Sequence, residues 1–275
     1  MKRLMLLLRI LLVYAFVLVL LYIFQNSMIY LPNRAGLDET RHTADLLSLA
    51  LWPQDGPYRG FVSNSADRDF KGTVVVFHGN AGSAADRIYY IAPLEKLGYR
   101  VLLAEYPGYG ARAGRKGEKS FVADSRETVR KAGKEFGDPV YLWGESLGCG
   151  VVCALAADRA LGNPGIVLLT PWSTLPDTAQ SHYWFLPARW LVRDRFDNVR
   201  HLESFAGPVA ILIAGSDRTI PNRLSLRLYE SVASPKRLWT FEGADHNNWP
   251  ADPGLQWWKE VMEFVSGRAP GEQTE

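Results

Sequence analysis

Seven short, mainly apolar runs, separated by stretches of helical spacing, limit what this chain can fold into more than any other feature. The runs are Tyr58 to Ser63, Thr73 to Phe77, Tyr99 to Ala104, Val140 to Trp143, Ile166 to Leu169, Val209 to Ala214 and Arg237 to Phe241. Helical spacing covers Ala84 to Leu97, Ser120 to Phe136, Leu147 to Leu161, Arg223 to Val232 and Leu255 to Val265. Gly98, Gly137 and Gly162 act as stops. A strand covered on both faces reads as a continuous apolar run, and parallel neighbours need a helical crossover. The expected fold is therefore α/β, a mostly parallel central sheet with helices on both faces. Residues 173–207 break the rhythm with Trp, Pro and Arg in mixed order, and are expected to form a cap-like insertion over one end of the sheet. In such sheets ligands bind beyond the carboxyl ends of the strands, so chemistry is sought in residues just after strands.

The N-terminal segment, 1–30, is of a different kind. Leu4 to Phe24 is apolar apart from Arg9, and at ~1.5 Å per residue it reaches roughly 30 Å, enough for a bilayer core. A cleaved signal peptide and a buried core helix are the alternatives. Tyr22 to Tyr30 lacks a small-x-small pair for cleavage, which favours an uncleaved signal anchor. Lys2, Arg3 and Arg9 precede or enter the span, whereas Arg34 and Arg41 beyond it are diluted by Asp38 and Glu39. This bias implies a single-pass protein with a cytoplasmic N-terminus and the α/β domain on the far side, the periplasm in a Gram-negative cell. Residues 31–56 mix Pro, Gly and charge and read as a connector. The alternating α/β domain is expected in 57–268, and 269–275 read as a flexible polar tail. The net charge of +2, with Lys and Arg scattered, excludes nucleic acid as an expected partner. Cys149 and Cys153, four apart on one expected helix, suit small buried residues better than a disulfide framework or a metal site.

Gly144-Glu145-Ser146-Leu147-Gly148 follows one expected strand and opens one expected helix. A Ser on so sharp a turn projects its hydroxyl at the sheet edge, above a helix N-terminus that favours negative charge. Its glycines leave room where Cβ atoms would clash. Ser146 is the candidate nucleophile, and a hydroxyl needs a base. His246 lies just past the strand ending at Phe241 and is the candidate base. Asp217, directly after the strand ending at Ala214, is the candidate acid that orients it; Asp245 is the rival, next to the base in sequence. Oxyanion donors are expected from the backbone N–H of Leu147 and from Asn80 or Ala81 in the loop after Phe77. His78 and Gly79 open that loop and are expected to be structural. Tyr106 and Tyr109 suit packing more than a pocket wall. Trp172, Trp184 and Trp190 are candidates for an acyl pocket or for a structural aromatic cluster. No cofactor or metal is called for.

These motifs together resemble the BEM46-type branch of the α/β-hydrolases, with its ABHD13-like and ABHD17-like serine hydrolases. The resemblance rests on Gln25 to Pro32 after the anchor, His78 to Gly82, Tyr106 to Gly110, Gly144 to Gly148, Thr170 to Trp172, Ala214 to Asp217 and His246 to Asn248. Pro107 departs from the branch, which usually has Arg there. The resemblance implies an α/β-hydrolase fold with a small cap after the sixth strand, the chain order Ser146, Asp217, His246, and hydrolysis of an ester or thioester. The substrate would be a small-molecule or lipid-like acyl ester, or an acylated protein; the branch indicates neither acyl length nor oligomeric state. A serine peptidase on the same fold and a non-catalytic anchored scaffold are the other readings. The first usually carries an extra domain, and the second usually lacks a triad member.

Overall fold

The apolar runs assemble into a single eight-stranded sheet. The structure, a computed structural model, describes residues 1–64, 69–162 and 164–267; the tail at 269–275 lies outside them. The strands are β1 (Leu49–Trp52), β2 (Gly60–Ser63), β3 (Thr73–Phe77), β4 (Arg100–Ala104), β5 (Val140–Glu145), β6 (Ile166–Leu169), β7 (Val209–Ala214) and β8 (Lys236–Phe241). Their spatial order is β8-β7-β6-β5-β3-β4-β2-β1. From β8 to β4 every pair is parallel, while β2 runs antiparallel to both β4 and β1. The order reverses direction at β3, between β4 and β5, which opens a crevice at the carboxyl end of the sheet.

Among the described residues ten α-helices cover and extend the sheet: α1 (Lys2–Ile29), α2 (Leu37–Leu46), α3 (Ile91–Lys96), α4 (Glu118–Phe136), α5 (Leu147–Ala156), α6 (Leu175–His182), α7 (Ala188–Leu191), α8 (Asn198–Leu202), α9 (Asn222–Ser231) and α10 (Gln256–Ser266). Strand residues alternate between two cores, as the period-2 pleat demands. Val75, Phe77, Leu142, Leu168 and Ile211 pack with α4, α5, α8 and α9. Val74, Val76, Trp143, Val167 and Leu212 pack on the other face with Tyr90, Leu94 and the α10 residues Trp258 and Val261.

Three local expectations change. The stretch 31–56 holds α2 and β1 rather than a plain connector. β1 is a short edge strand with only half its residues fully buried, so its sequence lacks a long apolar run. The helical spacing over 84–97 resolves into a 3₁₀ stretch, Ala84–Tyr90, and then α3, with Arg87 out of helical geometry at the join. The helix opening at Leu147 stops at Ala156, and Asp158, engaged by Arg126, caps a separate turn at Arg159–Leu161. Residues 173–207 carry α6, α7 and α8 over the carboxyl edge and follow β6, the sixth strand of the sheet.

Cys149 and Cys153 are fully buried in α5, and burial pushes both thiols well above their ordinary range. Native protein is therefore expected to resist iodoacetamide at mildly alkaline pH and to take up the label only after denaturation, read by intact mass.

Candidate active site

The turn from β5 into α5 is held by contacts that only this sequence pattern permits. Ser146 has φ +51° and ψ −113°, a left-handed conformation that a non-glycine residue adopts at a cost. A Cβ at Gly148 would meet the Phe77 carbonyl oxygen at 1.9 Å, and one at Gly144 would meet the Cys149 nitrogen at 2.6 Å. The Ser146 N–H donates to the Leu169 carbonyl at 2.9 Å, tying the turn to β6. Ser146 is thus the N-cap of α5, and Leu147 supplies the first N–H of the helix, one of the donors with no intrahelical partner.

Ser146, His246 and Asp217 come together across 100 residues of sequence. His246 Nε2 lies 2.9 Å from Ser146 Oγ, and Nδ1 lies 2.8 Å from Asp217 Oδ2. The other carboxylate oxygen, Oδ1, accepts the backbone N–H groups of Thr219 and Ile220 at 2.8 and 2.7 Å. The carboxylate is therefore fixed, and its acceptor oxygen selects the tautomer with the proton on Nδ1. Nε2 is then left as the acceptor facing the hydroxyl. Asp245 takes a different position. Its carboxylate accepts the backbone N–H groups of Arg218 and His246, both at near-ideal length, and the Arg218 guanidinium. Those donors hold its carboxyl down to about 2. The pair bridges the residue after Asp217 to the residue before His246, so it sets the spacing of the two loops without touching the imidazole.

The loop after β3 is braced from three sides. His78 is fully buried, with Nε2 2.9 Å from Glu105 Oε1 and Nδ1 2.8 Å from the Gly79 carbonyl. Glu105 Oε2 also accepts the Ala84 N–H at 3.0 Å. The hydroxyls of Tyr106 and Tyr109 donate to the carbonyls of His78 and Asn80 at 3.0 and 2.7 Å. Both tyrosines pack against Phe121, away from the lining of the cavity beside Ser146. Because the Gly79 carbonyl is held by the His78 ring, the planar trans peptide turns the Asn80 N–H the opposite way. Asn80 lines the cavity next to Ser146 and Leu147. Ala81 does not, being paired in a two-residue parallel bridge with Leu31. Between the two expected donors, the geometry favours Asn80.

That cavity measures about 270 Å³ and its walls are overwhelmingly apolar. Trp172 lines it, together with cap residues such as Leu175, Tyr183 and Leu186. Trp184 and Trp190 do not: they are 80% and 82% exposed on the outside of the cap. Their place in the wall is taken by Leu21, Gln25, Met28 and Ile29 of α1. Pro107 lies away from the cavity, and its turn is braced by Arg112, which donates to the Glu105 carbonyl and grips Asp124 with both terminal guanidinium nitrogens.

One feature of the elbow escapes a motif search. Glu145, the variable residue before Ser146, is buried and accepts from Arg87 Nε at 3.1 Å, Tyr89 at 2.6 Å and Tyr90 at 2.9 Å. Its charge raises the hydroxyl pKa of both tyrosines further, after desolvation. The only sequence signal for this network is a carboxylate inside an otherwise apolar strand end. Glu145→Ala leaves Arg87 without its carboxylate and the Tyr89 and Tyr90 hydroxyls without this acceptor, and is expected to lower stability by about 3 kcal/mol, read as a drop in Tm in detergent.

Comparison with known proteins bears on the same elements. A family model described as alpha/beta hydrolase fold matches residues 72–206. An uncharacterized protein of Mycobacterium tuberculosis is 33% identical over 238 residues, covering 82% of this chain and 81% of its own. The lysophosphatidylserine lipase ABHD12 of Danio rerio is 30% identical over 184 residues, covering 60% of this chain but 48% of that longer protein. Among solved structures, Est1E of Butyrivibrio proteoclasticus, bound to ferulic acid, superposes with a TM-score of 0.62 at 18% identity, over 76% of this chain and 96% of Est1E.

Proposed function

The chain belongs to the α/β-hydrolase family, and on that premise we propose that it is a membrane-anchored serine hydrolase cleaving a carboxylic ester or thioester through an acyl-enzyme. One observation carries the reading: a single imidazole reaches the Ser146 hydroxyl at 2.9 Å with one nitrogen and the Asp217 carboxylate at 2.8 Å with the other.

The chemistry follows from that geometry. His246 Nε2 takes the Ser146 proton as Oγ attacks the acyl carbon, and Asp217 stabilises the imidazolium through Nδ1–H. The carbonyl oxygen becomes an oxyanion held by the N–H groups of Leu147 and Asn80, the first of them at the positive end of α5. The imidazolium then protonates the leaving alcohol or thiol, and the acyl group stays on Oγ. Water, deprotonated by His246, attacks the acyl-enzyme, and the carboxylic acid leaves as Oγ regains its proton. His78 and Gly79 serve as structure in this scheme, with His78 locking the loop through Glu105.

Apolar walls suit an acyl chain, and relatives named as lysophosphatidylserine lipases support a lipid-like ester as the substrate class. The acyl group of an acylated protein presents the same bond. The motifs shared with the BEM46-type branch belong to the same reading. α1, the one helix among the described residues long and apolar enough to cross a membrane, serves as the anchor. Lys2, Arg3 and Arg9 at its N-terminal end support a cytoplasmic N-terminus with the hydrolase on the far side.

Labelling of the full chain by a fluorophosphonate probe is expected, and Ser146→Ala is expected to abolish it; persistent labelling of that variant would overturn the assignment. Asp217→Asn should keep the fold yet lower kcat by about 10⁴-fold, because the imidazole loses its tautomer. A series of p-nitrophenyl esters graded by acyl length, with Ser146→Ala as the blank, reads both.

A further inference from the structure

The anchor helix forms part of the cavity wall. α1 lines the cavity beside Ser146 through Leu21, Gln25, Met28 and Ile29, and its end is fastened to the hydrolase. Gln25 is buried; its amide donates to the Leu191 carbonyl at 3.1 Å and its oxygen accepts the Arg193 N–H at 2.8 Å. The Arg193 guanidinium lies over the Tyr22 ring at 5.3 Å and donates to Asn26. Asn80 Nδ2 donates to the Ile29 carbonyl at 2.9 Å. The cap, α1 and the loop after β3 are therefore one packed unit.

This packing sets the height of the cap relative to a bilayer. A hydrocarbon core of about 30 Å takes up roughly 20 helical residues, so a span beginning near Leu4 leaves the core near Phe24. Tyr22 to Gln25 then lie at the boundary between acyl chains and headgroups, and α7 is packed on α1 at that level. The most exposed aromatic rings outside α1 lie on α7 and just before it: Trp184 (80%), Phe185 (61%) and Trp190 (82%). The other seven tryptophans are all at most 9% exposed. Between residues 183 and 196 Arg189 is paired with Asp177, whereas Arg193 and Arg195 are exposed on either side of Asp194, a balance that suits phosphate headgroups. Exposed tryptophans beside cations, at the level where a spanning helix leaves the core, match an interfacial belt and fit a water-facing surface poorly.

We infer that Trp184, Phe185 and Trp190 dock the cap into the leaflet that α1 leaves, so that the cavity receives its acyl chain from the bilayer along a wall made by α1. This rests on the anchored-hydrolase reading and adds to it the source and route of the substrate. The lipid surface is preferred over a second copy of the chain or a soluble partner because the patch is continuous with the helix that the membrane must surround.

The test uses the full chain in phosphatidylcholine vesicles brominated near the carbonyl end of the acyl chains. Because the other tryptophans are buried, quenching is expected to come from Trp184 and Trp190 and to be largely lost in the Trp184→Phe/Trp190→Phe double variant. An unquenched parent, or a parent quenched by aqueous acrylamide but not by bromolipid, would overturn the proposal and point to a protein partner. In a second arm, Trp184→Ser/Trp190→Ser is expected to slow turnover of a long-chain ester carried in the vesicles at least tenfold, while a short water-soluble ester is hydrolysed at the parent rate. Equal effects on both esters, or none on either, would also overturn it. If the parent turns over neither ester while bromolipid quenching is intact, the hydrolase reading fails and the docking surface stands.

Discussion

At Gly148 the first turn of α5 crosses the end of β3 so closely that a methyl group would sit 1.9 Å from the Phe77 carbonyl oxygen. Helix and strand can approach that far only without a side chain, and the approach forces Ser146 into its left-handed turn. Everything polar in the site follows from that turn. It lifts the hydroxyl to the carboxyl edge, aligns the helix N-terminus beneath it, and places β3, with its loop, directly against the nucleophile. Strain at Ser146 is tolerated because the surrounding sheet over-determines it: the residue's N–H is bound to β6 and its neighbours are buried.

Around this turn the chain invests buried charge in position. Glu145 with Arg87, and Glu105 with His78, each place a carboxylate where burial is costly. In return, each carboxylate has several fixed donors, and a fully satisfied polar network holds its members in one arrangement. Glu145 ties the elbow to the 3₁₀ stretch. Glu105 ties the loop after β3 to the same stretch, through Ala84. The two loops that carry the candidate oxyanion donors are thereby referenced to one element.

The post-anchor segment extends that frame outward. Leu31–Pro32 pairs with Ala81–Gly82, Tyr30 donates its hydroxyl to Asp194, and Lys116 reaches the Tyr30 carbonyl. A movement of α1 relative to the hydrolase would break hydrogen bonds in the loop after β3. α1 therefore shares the rigidity of the candidate site, and no free linker separates them.

Much of this was legible in residue order. The parallel core could be read because strands buried on both faces must be apolar throughout, and the elbow because two glycines flank one Ser between a strand and a helix. Ser146, Asp217 and His246 each follow a strand, and a parallel sheet gathers such positions at one edge whatever lies between them. β1 and α2 were not legible, since an edge strand of four residues with partial burial carries no long pattern. Separating Trp172 inside from Trp184 and Trp190 outside, and making α1 a wall of the cavity, were decided only in three dimensions. Each depends on contacts between distant segments, such as Gln25 with Leu191, 166 positions apart, that no local spacing encodes. The sequence determined which residues lie beside the carboxyl edge of the sheet. Tertiary packing decided which of them face the cavity, which brace it, and which stay exposed on the outside.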